Sequence, residues 1–151
     1  MSLSLRIIKK KNIRKTWVWA NDKNVILNSL IRKNKITIKE HTKWIKKYFK
    51  SKKNQIYIAH KSKKMIGMIR IDKYKKYFII SYMIDKNYRN QGHGYEMIKK
   101  LIGRKRKFNK KIKFKALVLK KNKSSIKIFK ELQFKMKSKK SDPNIAILTL
   151  N

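Results

Sequence analysis

The stretch Arg89-Asn90-Gln91-Gly92-His93-Gly94 decides how this chain is read, because of the segments on either side of it. Before it runs an apolar, strand-like segment, Tyr77-Phe78-Ile79-Ile80-Ser81-Tyr82-Met83-Ile84. After it comes a helical pattern that places Met97, Ile98, Leu101 and Ile102 on one face. A strand, a glycine-bearing turn and a helix start, in that order, make an anion site. Glycine lets the backbone come close to a phosphate, and the unpaired N–H groups of the first helical turn point at it. An Arg-x-x-Gly-x-Gly run alone is weak evidence, but here the flanking strand and helix supply the context the chemistry needs.

A second segment extends the pattern. Leu117-Val118-Leu119 reads as a buried strand and is followed by Asn122, Ser125, Phe129 and Phe134. Together the two segments resemble the GNAT superfamily of N-acetyltransferases, the first matching its acetyl-CoA pyrophosphate loop. The chain departs from the family pattern at Gln133, where glycine is usual, and at Phe129, where tyrosine is usual.

The resemblance implies an α/β fold, a mixed sheet of about seven strands flanked by about four helices, with the fourth and fifth strands splayed apart. It implies acetyl-CoA as co-substrate, with Arg89, Asn90, Gln91, Gly92, His93 and Gly94 at the pyrophosphate and His93 turned to solvent. Backbone groups of Met83 and Ile84 are expected to pair with the pantetheine arm and help polarise the thioester. Asn122, Ser125 and Phe129 are expected along that arm, with a plain helix cap as the competing reading of Asn122.

The pattern along the chain predicts a first strand at 5–8 and a helix at 12–20 that Asn21-Asp22-Lys23-Asn24 breaks. Thr37-Ile38-Lys39-Glu40 is a capping box, and the helix it opens carries Ile38, His41, Trp44, Ile45, Tyr48 and Phe49 near 3.6 periodicity. Strands follow near 56–59, 65–72 and 77–84, then a helix from 92 to about 108. A strand at 112–119, a helix at 124–132 and strands at 134–137 and 145–150 complete the order. Pro143 is expected in the loop between those last two strands, where a missing N–H costs little.

Composition narrows the classes. At 151 residues, with 41% hydrophobic residues in periodic segments, one domain spanning 1–151 is expected. No apolar run approaches the ~20 residues of a membrane span, and the first residues lack a signal-peptide core. A cytoplasmic enzyme without membrane contact is the expectation. The absence of cysteine excludes disulfides, thiolate metal sites and a cysteine nucleophile, and no other metal-ligand spacing occurs. The formal charge of +38 invites a nucleic-acid reading, yet only 7 of the 45 basic residues are arginine. Nucleic-acid readers favour the arginine fork, so a solvated lysine surface that also favours anionic ligands is preferred over a basic nucleic-acid-binding module.

The acceptor side carries a narrower resemblance. Trp17-Val18-Trp19-Ala20-Asn21-Asp22, Glu40-His41-Thr42-Lys43-Trp44 and Ile66-Gly67-Met68-Ile69-Arg70 are similar to the superfamily branch that acetylates nucleotide-linked 4-amino-sugars. That branch implies a small-molecule amine acceptor contacted by Trp17, Trp19, Asn21, Trp44 and Arg70, and it allows a homodimer. Each tryptophan taken singly reads as core or rim packing. A ribosomal-protein-type α-amine acetyltransferase with an open groove is the rival enzyme reading. The catalytic candidates are Met83, through its backbone, His41 as base and Tyr82 as a hydroxyl. A phenol at position 129 would protonate the departing thiolate, and a phenyl ring cannot. Water, another hydroxyl such as that of Tyr82, or direct departure must replace it, since a thiol pKa of ~8.5 makes the last route tolerable.

Overall fold

The computed structural model describes residues 2–151. Seven strands run β1 Ser4–Ile7, β2 Gln55–Lys61, β3 Lys64–Tyr74, β4 Tyr77–Ile84, β5 Lys113–Leu119, β6 Lys135–Lys139 and β7 Asp142–Leu150. They form one sheet in the order β1-β2-β3-β4-β5-β7-β6, with β4 and β5 parallel and every other neighbouring pair antiparallel. The helices are α1 Ile13–Ala20, α2 Lys23–Leu27, α3 Ile38–Phe49, α4 His93–Phe108 and α5 Lys123–Glu131, with 3-10 turns at Lys10–Asn12 and Lys86–Tyr88.

Side-chain alternation sorts the helices onto the two faces. On β2, Tyr57 and Ala59 join the cluster of Met97, Ile98 and Leu101 from α4 and Phe129 from α5. Ile56 and Ile58 join the other cluster, with Ile13 and Trp19 of α1 and Ile45 of α3. The period of two along the strand therefore feeds two cores at once. On β4 the same alternation packs Tyr82 and Ile84 toward α4 and α5, and Met83 toward α1 and α3.

The expected mixed sheet forms. Helix α1 ends at Ala20, at the expected break, and the described residues hold five α-helices against about four expected, because α2 starts within the segment read as a break. The Asp22 carboxylate accepts from the amides of Asn24 at 3.0 Å and Val25 at 3.3 Å, which makes it an N-cap. Pro143 lies inside β7 rather than in a loop. Lys139 pairs with Asp142 and Ser138 with Ala146, so Pro143 falls in a bulge with no partner on β6 and no ladder bond to lose.

Candidate active site

The parallel β4–β5 pairing holds only from Tyr77–Ile79 to Lys113–Lys115. Beyond that register, residues 80–84 and 116–119 part, while β5 stays paired with β7 up to Leu119. The gap is the floor of a cleft of about 720 Å³ that passes Tyr82, Met83 and Ile84, the turn before α4, and the start of α5. Two strand segments with unshared ladder edges facing one slot are a place where an extended ligand can find backbone partners.

At one end of the slot stands the glycine turn. Asn90 and Gly92 both adopt left-handed backbone, with φ of +59° and +80°. Gly92 is the N-cap of α4 without a side-chain cap, and a Cβ built on it would meet nothing within 4 Å. The first intrahelical acceptor is the Gly92 carbonyl, taken by the Glu96 amide at 3.2 Å. The amides of His93, Gly94 and Tyr95 therefore have no acceptor among the described residues, and the space before Gly92 is open. That geometry fits a pyrophosphate.

Arg89 lines the same end but is engaged. Its Nη2 donates to Asp22 Oδ1 at 2.7 Å and its Nε to the Ile84 carbonyl at 3.2 Å. Burial would raise the Asp22 carboxyl, but Arg89 and the α2 amides outweigh it and hold the group below the usual carboxylate range. Gln91 does not line the cleft, and its side-chain amide donates to the Asn87 carbonyl at 3.2 Å. His93 corrects an expectation. Its side chain is 5% exposed rather than turned to solvent, it packs edge-on to Tyr88, and its Nδ1 is buried without a hydrogen-bond partner. Burial and Lys61 push its pKa down, against Glu96.

Across the slot, Asn122 caps α5 by accepting from the Ser125 amide at 3.3 Å. Phe129 is buried, edge-on to Phe134 and to Tyr82. The Tyr82 hydroxyl donates to Ser125 Oγ at 3.1 Å. Burial raises the Tyr82 pKa, partly offset by Ser125, so the phenol keeps its proton at neutral pH. A phenol from β4 therefore stands beside the α5 ring that lacks one.

The other half of the cleft is lined by Arg32, Ile36, His41, Trp44, Met68 and Arg70. The Arg70 guanidinium lies 5.2 Å from the Trp44 ring centre, donates to Ser81 Oγ at 3.1 Å, and pairs with Asp72 at 3.1 Å. Tyr48 Oη donates to the other Asp72 oxygen at 2.7 Å. His41 is 1% exposed, with its Nε2 2.8 Å from Thr16 Oγ1. The Thr16 proton goes to the Ile13 carbonyl, so His41 must donate from Nε2. Burial and then Arg32 lower its pKa to about 4, below the working range expected from the sequence.

Three residues expected at the acceptor do not reach the cleft wall. The Trp17 indole donates to the Ile36 carbonyl at 2.7 Å, and the Asn21 amide clasps both backbone groups of Ile36 at 2.8 Å. Trp19 donates to the buried Asp85 at 2.7 Å. These residues fasten the 28–37 loop and the β4–α4 connection. Three others went unread in the sequence. Asp22 holds Arg89, Arg32 lines the cleft, and Gly67 leaves room beside β4. A Cβ at Gly67 would lie 2.5 Å from the Met83 carbonyl oxygen. Asp22 and Gly67 gave a signal only through their places in the tryptophan element and the 66–70 element, and Arg32 gave none.

Residues 2–135 match the family model described as the acetyltransferase (GNAT) domain. The chain belongs to the GNAT acetyltransferase family. No curated protein matches it. Solved structures give the fold of this GNAT domain independently. A domain from Methanocaldococcus jannaschii is similar with a TM-score of 0.87 at 18% identity, over 99% of this chain and 98% of its own. RimL, a ribosomal alpha-N-protein acetyltransferase in complex with coenzyme A, is similar with a TM-score of 0.86 at 13% identity, over 99% and 94%. Spermidine N-acetyltransferase from Vibrio cholerae, in complex with CoA and spermine, gives 0.85 at 12% identity, over 99% and 95%. At such identities the likeness speaks to the fold alone. Among the described residues no group of three or more His, Asp or Glu side chains could hold a metal ion, and no helix is long and apolar enough to cross a membrane.

Proposed function

We propose that this GNAT enzyme transfers acetyl from acetyl-CoA to the primary amine of an anionic small molecule, a nucleotide-linked amino-sugar. The observation that carries the transfer reaction is the slot between β4 and β5 ending at free first-turn amides. Bound there, acetyl-CoA supplies an activated thioester. The turn at Gly92 holds phosphate oxygens through fixed N–H groups. The backbone of Met83 and Ile84 orients the arm and donates to the carbonyl where charge develops. Gly67 keeps that stretch of β4 free of a neighbouring side chain.

The phenol of Tyr82, protonated and beside Phe129, is the donor available to the leaving sulfur, in the place where the family pattern has a tyrosine. His41 is a poor base, since its basicity is lowered and its Nε2 proton is committed to Thr16. The amine proton leaves to water.

The cleft's charge supports the anionic acceptor. Arg32, Arg70 and Arg89 line it, and no aspartate or glutamate does among the described residues. A polyamine or aminoglycoside would bring several cations into that field with no carboxylate to meet them. Trp44, stacked on Arg70, offers a flat apolar face to a sugar or base. The test is thiol release from acetyl-CoA with a panel of amines. A nucleotide-linked amino-sugar should exceed spermidine by at least about tenfold in kcat/KM, a difference of ~1.4 kcal/mol in transition-state binding. A preference for spermidine would overturn the anionic acceptor.

A further inference from the structure

Arg32 is unlike the other two arginines of the cleft. Arg70 is paired with Asp72 and Arg89 with Asp22, whereas Arg32 has no carboxylate partner among the described residues. Its guanidinium is held instead by two backbone carbonyls, those of Ala20 and Asn34, the latter at 3.1 Å. It is half-buried, and burial pushes its pKa down, so two neutral carbonyls and no carboxylate offset the loss of water around its charge. A charge in that state costs free energy unless an anion meets it.

The chain around Arg32 is built to hold it still. Ser29 Oγ accepts from the Arg32 amide at 2.9 Å. The clasp of Trp17 and Asn21 on Ile36 fixes the far end of the loop. The tryptophan element that the sequence places at the acceptor thus reaches the acceptor half indirectly, by anchoring the loop that carries an arginine.

We propose that Arg32 is the anion-recognition residue of the acceptor half of the cleft, taking a phosphate or diphosphate carried by the amine substrate. The inference rests on the assignment of that half to the acceptor. Two carbonyls fix the fork's orientation, leaving its remaining donors for a planar pair of phosphate oxygens. His41 and Trp44 complete the wall beside it, and neither brings negative charge.

The test is calorimetric titration of the CoA-saturated protein with UDP and with uridine, which keeps the pyrophosphate turn occupied. UDP should bind saturably, and at least about tenfold more tightly than uridine. Arg32→Gln should weaken UDP roughly ten- to hundredfold, as expected for losing charge-assisted hydrogen bonds, with CoA affinity unchanged. Arg32→Lys, which keeps the charge and loses the fork, should fall between them and covers the case in which the glutamine variant does not fold. Equal affinity for UDP and uridine, no saturable UDP binding, or UDP binding indifferent to both substitutions would overturn the proposal. Acetyl transfer is read separately by thiol release, so these outcomes leave the transferase reading standing.

Discussion

Arg89 donates to Asp22 Oδ1 at 2.7 Å, and that same oxygen accepts from the first amides of α2. One carboxylate therefore ties the glycine turn to the helix that leads into the 28–37 loop. Asp22→Asn keeps an N-capping side chain and removes only the charge. It should cost about 1 kcal/mol at neutral pH, the upper range for a partly exposed pair. The Asp22 pKa is depressed in the fold, so its contribution is present above the unfolded carboxylate value and fades as pH falls through the folded one. Thermal unfolding of both proteins from pH 7 down to pH 3 checks this. The gap in Tm should close below roughly pH 4. A gap that stays constant would mean that the charge is not what matters.

Tyr82 is expected to give its proton to the departing thiolate. Tyr82→Phe should lower kcat roughly a hundredfold, the low end of general-acid contributions, while the Kd for acetyl-CoA changes by less than about threefold. A fall in kcat below about threefold would return that proton to water. Loss of affinity with kcat intact would make the Tyr82–Ser125 bond a packing feature.

His41 makes an acid-sensitive lock between α1 and α3. Its folded pKa, about 4, lies below the ordinary 6.5, so the unfolded chain binds the proton more readily. Stability should be unaffected above pH 6.5 and decline as pH falls from there toward 4, by on the order of 3 kcal/mol in all. His41→Gln, which can still donate to Thr16, should flatten that decline in a denaturant series. An equal decline in the variant would assign it to other groups.

The sequence made the sheet and the glycine turn before α4 legible because their signals are local. Periodicity announces β4 and α4, and the glycine between them announces the turn. The Thr37–Glu40 capping box forms as read, with Thr37 accepting from the Glu40 amide at 3.2 Å and Glu40 answering at 3.1 Å. The half of the cleft beside the 28–37 loop was harder, because its arrangement depends on contacts across long separations. Trp19 meets Asp85 from another element, and Arg32 is defined by the carboxylate it lacks. His93 reads as a surface residue in a polar turn, yet it is buried, with Tyr88 packed edge-on against it. Asp22 reads as a helix breaker because capping and breaking use the same residue types.

If the turn at Gly92 binds the pyrophosphate of acetyl-CoA, calorimetry of two variants at that position should separate backbone strain from loss of the anion site. Gly92 sits at φ +80° with open space before it, so Gly92→Ala adds backbone strain of about 1–2 kcal/mol but no clash. Gly92→Glu adds the same strain and sets a carboxylate among the free amides. Wild type should bind acetyl-CoA saturably, Gly92→Ala should bind it more weakly, and Gly92→Glu should show no measurable binding while remaining folded. Wild-type affinity in Gly92→Glu would mean that the turn does not hold the pyrophosphate.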